Sequence, residues 1–168
     1  IRNVLDPIKV DVTGEEVYMY TDSPNAPNKG TINNPKIISD ATTFENEMTN
    51  GSNGSLINGF SYRFISDISY SSFEGYSSLS NVTMTGNIEG NGMTISDIGL
   101  FSNSKYTSAG LFGQIGTADK AAVVKNLTIS PSLVAFNNSI SVGVLAGTIN
   151  NASVYDVKIY GSDDEALT

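Results

Sequence analysis

The sequence predicts an all-β chain folded as a right-handed parallel β-helix, and three observations carry that prediction. Short strand-like runs recur through residues 60–160, Gly, Ser and Asn punctuate them, and only 15% of the residues are charged against 39% hydrophobic. Such a chain suits stacked, turn-rich sheet better than a bundle of amphipathic helices.

Residues 1–36 read as an extended or linker segment. They hold four of the five prolines, and Thr21 to Pro35 adds Asn and Gly between them. The β-helix domain is expected over 37–168, opening with a short helix at about 41–49. Ser39 or Asp40 can cap that helix, Thr42 and Glu45 have capping-box spacing, and Gly51 can end it. Phe44 and Met48 lie one turn apart, so the helix has a single apolar edge that can cover the open end of a stack of strands.

From residue 60 onward the helical period disappears and repeats take over. The runs I-S-D-I-G-L (95–100), V-K-N-L-T-I (124–129) and V-Y-D-V-K-I (154–159) begin 29 and 30 residues apart. A second family, A-G-L-F-G-Q-I (109–115) and V-G-V-L-A-G-T-I (142–149), has leading glycines Gly110 and Gly143 that are 33 apart. A period near thirty without a helix per unit excludes tetratricopeptide and ankyrin arrays. Each unit then reads as one coil, stacked about 4.8 Å from the next. This alignment predicts an inward column in which Leu127 and Ile129 lie between Ile98 and Leu100 on one side and Val157 and Ile159 on the other. Asp97, Asn126 and Asp156 would form a ladder of corners, because Asx residues tolerate the left-handed backbone of a bend.

The glycines carry a resemblance. Gly110, Leu111, Phe112 and Gly113, followed by V-K-N-L-T-I, resemble the GLUG repeat of bacterial secreted proteins. The second copy, Gly143 to Gly147, has one extra residue between its glycines and matches a looser form. Upstream, Y-R-F-I-S-D-I (62–68) and G-N-I-E-G-N-G-M-T-I (86–95) are similar to the stretches that lead into such repeats. The resemblance spans about 37–161. It implies export, a pectate-lyase-like β-helix, and kinship with adhesin-like surface proteins and the non-catalytic N-terminal regions of zinc metallopeptidases, including enzymes that cleave IgA. It implies no proteolysis here, because the zinc-binding helix of those enzymes has no counterpart in a chain without His.

The composition narrows the chemistry. The chain has neither Cys nor His, which excludes disulfides, thiolate nucleophiles, Ser-His-Asp triads and His-ligated zinc from these residues. No metal or cofactor is expected. A net charge of −8 argues against nucleic acid, and no apolar stretch approaches the length of a membrane span. Asp67, Glu74, Glu89 and Asp97 are the carboxylates available for a glycosidase-like pair, but no spacing singles out two of them. Glu89 to Gly92 reads as a turn rather than a phosphate loop, since no helix start follows it.

An aromatic patch runs from Phe60 to Tyr76. Tyr70, Phe73 and Tyr76 are its candidate ligand contacts, for a glycan or a host protein, set against packing in the core. Ile1 in place of Met and a strand-like run near the end read as a segment of a larger extracellular or surface parent of bacterial origin, monomeric as a fragment. Three functions fit: a non-catalytic structural or binding module for adhesion or display, the accessory N-terminal region of a secreted metallopeptidase, and a polysaccharide-active enzyme.

Overall fold

The computed structural model describes residues 8–12, 15–19, 30–49, 59–71 and 79–161. Strands β1 (Ile8–Val12) and β2 (Glu15–Met19) pair antiparallel, Ile8 opposite Met19 and Val12 opposite Glu15. These two strands lie within the stretch that the sequence reads as an extended or linker segment. Residues 21–29 lie outside the described residues.

After a turn in which the Gly30 amide donates to the Asn34 carbonyl at 2.7 Å, β3 (Lys36–Ile38) leads into helix α1 (Ala41–Thr49). Asp40 is the cap. Its Oδ1 accepts from the Thr43 amide at 2.7 Å, and that bond holds the Asp40 carboxyl below its ordinary pKa. With Asp40 as the cap, Thr42 is inside the helix, and the role of Glu45 lies elsewhere. Glu45 is buried and accepts the Tyr70 hydroxyl on Oε1 at 2.6 Å. Ala41, Phe44 and Met48 turn into the core, where the Phe44 ring meets Phe64 at 5.6 Å and Phe112 at 6.4 Å between centroids.

The remaining described chain is strand and turn. It runs through β4 (Ser61–Phe64), β5 (Ile68–Ser69), β6 (Thr83–Met84), β7 (Gly86–Glu89), β8 (Thr94–Ser102) and β9 (Ser108–Ala109). There follow β10 (Phe112–Ile115), β11 (Ala122–Phe136), β12 (Ser141–Val142), β13 (Ala146–Ile149) and β14 (Ala152–Ile159). Every strand pairing from β3 onward is parallel. The fold is thus mostly β, with a curled parallel sheet.

Strand β11 makes the curl. Residues 122–125 lie between β7 and β14, and residues 128–136 lie beside β8. Between those halves sits Asn126 with φ 55°, which swings the strand round a corner. Beyond Ser130 the register against β8 slips at Pro131, a residue that has no amide for a ladder. Two smaller parallel sheets have the orders β6–β10–β13 and β9–β12.

The register corrects the predicted column. Leu127 lies beside Val157, Ile129 beside Ile159 and Val124 beside Val154. Ile98 and Leu100, however, do not lie beside Leu127 and Ile129. Ile95 is the neighbour of Ile129, Ile98 lies beside Pro131, and Leu100 lies beside Val134. Asp97 therefore leaves the corner ladder. Asn91, with φ 54°, takes its place near Asn126 and Asp156, where the Gly92 amide donates to the Asn126 carbonyl at 2.7 Å. Ile95, Ile98, Leu100, Leu127 and Ile129 are all buried, and each fully buried aliphatic stabilises the fold by about 1.5–3 kcal/mol before entropy.

Candidate functional site

The four motif glycines sit where backbone comes too close for a Cβ. A Cβ on Gly110 would lie 2.6 Å from the Gly143 carbonyl oxygen, and one on Gly113 would lie 2.7 Å from the Asn81 backbone. A Cβ on Gly143 would lie 2.2 Å from the Ala146 oxygen, and one on Gly147 would lie 2.5 Å from the Ala109 nitrogen. No side chain fits at any of the four. The extra residue in the second copy enters at Val144–Leu145, since Val142 lies beside Ala109 and Ala146 beside Phe112, a step from 33 to 34 residues. Gly110, Gly113 and Gly147 set the contact between neighbouring strands, whereas Gly143 is required by its own turn with Ala146.

The outward face of β4, β7, β11 and β14 carries different chemistry. Alternation along a strand turns Tyr62, Ile88, Val124 and Val154 inward, so the next residue of each layer points out. Those residues are Arg63, Glu89, Lys125 and Tyr155, aligned side by side across four parallel strands. With Ile32 and Pro35 they line an open groove of about 370 Å³.

The groove is held rigidly. Glu89 Oε1 accepts from the Asn91 amide at 2.8 Å and from Asn126 Nδ2 at 2.9 Å, and its Oε2 lies 3.0 Å from Lys125 Nζ. Partial burial by itself pushes the Glu89 pKa up. The bonds from Asn126, Lys125 and Asn91 outweigh it and hold the carboxyl below its ordinary value. The bond to Glu89 raises the Lys125 pKa in turn, and the ammonium sits 5.9 Å from the centre of the Tyr155 ring. A carboxylate with a depressed pKa and three donors is a poor general acid; the arrangement suits a fixed surface of alternating donors and acceptors beside an aromatic plate.

The other carboxylates are engaged in structure. Asp67 accepts the Thr94 amide at 2.8 Å, and Asp97 accepts the hydroxyls of Ser69 at 2.9 Å and Ser96 at 3.1 Å. Glu74 lies outside the described residues. Among the described residues no three His, Cys, Asp or Glu side chains come together to hold a metal ion.

Of the aromatic candidates, Tyr70 is a core residue: its side chain is fully buried and its hydroxyl is donated inward to Glu45, which corrects its reading as a ligand contact. Phe73 and Tyr76 lie outside the described residues. Sequence reasoning missed the row through Arg63, Lys125 and Tyr155. Part of the signal was present, because Lys125 and Tyr155 each sit between an inward aliphatic and a corner.

Comparison with known proteins gives one partial likeness. Over 97 residues, 56% of this chain, the sequence is 34% identical to Halomucin of Haloquadratum walsbyi (strain DSM 16790 / HBSQ001). That stretch is 1% of Halomucin, so the chain spans a very small fraction of this relative. No family model and no solved structure matches the chain. No helix among the described residues is long and apolar enough to cross a membrane.

Proposed function

We propose that this chain is a non-catalytic structural and binding module of a surface or secreted protein, built as a right-handed parallel β-helix of the GLUG-repeat type. The observation that carries the reading is the row Arg63, Glu89, Lys125 and Tyr155, one side chain from each of four parallel strands, aligned over a groove. Parallel strands joined by crossovers in one sheet are nearly always right-handed, which supports the handedness. The likeness to a stretch of Halomucin favours a surface-associated parent.

A module of this kind acts by rigidity and display. Its layers are locked by close glycine contacts and buried aliphatics, so an outward row keeps its spacing of about 4.8 Å per layer without a backbone ordering cost on binding. The ligands it suits are a glycan or a host protein surface, met by Tyr155 as the plate and by Arg63 and Lys125 as donors.

The test pairs a binding screen with an enzyme assay. Immobilised glycans and surface proteins probed with the chain should give hits that weaken about tenfold or more on Tyr155→Ala or Arg63→Ala. Pectin, alginate and hyaluronan should release no reducing ends. Release of reducing ends that is abolished by Asp67→Asn would overturn the non-catalytic reading.

A further inference from the structure

The row of Arg63, Glu89, Lys125 and Tyr155 runs across the strands rather than along them, with one side chain from each of β4, β7, β11 and β14. Strands β4, β7 and β11 are each paired on both sides, so the floor of the groove has no backbone edge for a peptide strand to join. Neighbouring layers are about 4.8 Å apart, close to the advance of one pyranose ring along an extended 1,4-linked chain. A linear glycan laid along the groove therefore meets a new side chain with each sugar. Ser61 and Asn87 also line the groove, and Asn87 Nδ2 donates to Ser61 Oγ at 3.0 Å. Tied to each other, this hydroxyl and amide are fixed partners for sugar hydroxyls.

Charge separates an acidic glycan from a neutral one. The chain carries 9 Lys and Arg against 17 Asp and Glu, yet the charged side chains lining this groove among the described residues are two cations, Arg63 and Lys125, and one carboxylate, Glu89. Both Glu89 oxygens are already engaged by protein donors, from Asn91 and Asn126 on one and Lys125 on the other. Lys125 answers that carboxylate, and Arg63 adds a guanidinium whose planar fork matches a further carboxylate on two N–H donors. In a chain of net charge −8 the groove is a local positive site, and the surrounding charge repels a polyanion that meets the surface elsewhere.

Resting on the reading of this groove as a binding site, we infer that its ligand is a linear uronic-acid polysaccharide, laid across β4, β7, β11 and β14 at about one sugar per layer with a sugar carboxylate on Arg63. Tyr155 gives a sugar ring at the far end of the row an aromatic face to stack on. The carboxylate sets the class of polymer, and the layer spacing sets its linear form.

Isothermal titration of the chain with size-defined oligomers of galacturonate, mannuronate and guluronate, and with the same oligomers after reduction of their carboxylates to alcohols, tests this. At least one acidic oligomer should bind about tenfold or more tightly than its reduced counterpart, the difference a charged hydrogen-bonded pair makes. Affinity should rise with length until the oligomer spans the four layers and then level off. R63Q should bring the acidic and reduced forms to equal affinity, whereas R63K should keep part of the preference, with the β circular-dichroism spectrum unchanged in both. No binding of any acidic oligomer, equal binding of acidic and reduced forms by the parent chain, a preference untouched by R63Q, or equally tight binding of sulfated dextran overturns the inference. Neutral-glycan or protein ligands that weaken on Tyr155→Ala would leave the groove a binding site while removing the uronate, and a screen without any ligand would remove both.

Discussion

Asn126 donates from Nδ2 to Oε1 of Glu89 at 2.9 Å, and so fastens the corner of β11 to the end of β7 in the neighbouring layer. The same Asn126 holds φ at 55°, a backbone that L-residues other than Asn and Asp avoid. Replacing it with Ala removes the bond and imposes the left-handed cost together. Urea unfolding of Asn126→Ala should show a loss of about 2–4 kcal/mol, from roughly 1–2 for the backbone and about 1–2 for the bond. Asn126→Gly should lose only the share due to the bond.

The Glu89 pKa is lower in the folded chain than its ordinary value of 4.5, so the folded state prefers the carboxylate. That contribution is present in full above the unfolded pKa and fades as pH falls through the folded value. Glu89→Gln should therefore flatten some of the stability loss below about pH 4.5, with little change in that slope near neutrality. Lys125 has the opposite sign: its raised pKa stabilises below its ordinary value of 10.5, and the effect is lost as pH rises past it. Unfolding curves between acid and alkaline pH check both.

Glycine positions should separate into two classes. Gly113 keeps its place because a Cβ would strike the Asn81 backbone, whereas a Cβ on Gly59 meets nothing within 4 Å and only its φ of 63° resists a side chain. Gly59→Ala should cost about 1–2 kcal/mol. Gly113→Ala has to push adjacent layers of sheet apart and should cost more, with loss of the folded β spectrum as the extreme outcome.

The buried pair of Tyr70 and Glu45 gives a further test. Tyr70→Phe keeps the ring but withdraws a donor from a buried carboxyl, which should cost about 1–3 kcal/mol by thermal or chemical unfolding. Phe44→Ala empties the position where α1 meets Phe64 and Phe112, and should cost about 3–5 kcal/mol.

These residues also show what the sequence could tell. The β class, the short helix with its Phe44–Met48 edge, and the side-by-side placement of 124–129 and 154–159 follow from local pattern and a 30-residue repeat. The place of 95–100 does not. Asp97 and Asn126 share one local conformation, with φ 59° and 55°, so their surroundings read alike in sequence. They nevertheless stand at different bends, because Gly90 to Met93 and the turn at Thr117 to Lys120 insert residues that pattern alone cannot assign to a side of the stack. Register is a long-range property, fixed by which aliphatics end up sharing the core, and a local motif repeats wherever the same bend is needed. The outward row was hidden for a related reason: Arg63, Glu89, Lys125 and Tyr155 differ in chemistry and align only once the layers are stacked.

The stacking of the strands is tested most directly by hydrogen-bond scalar couplings in NMR. Couplings are expected from the Thr128 amide nitrogen to the Met93 carbonyl carbon and from the Tyr160 amide nitrogen to the Ile129 carbonyl carbon, matching bonds of 3.0 Å each. Couplings that instead place Leu127 and Ile129 against Ile98 and Leu100, or that reveal antiparallel partners for β11, would contradict it.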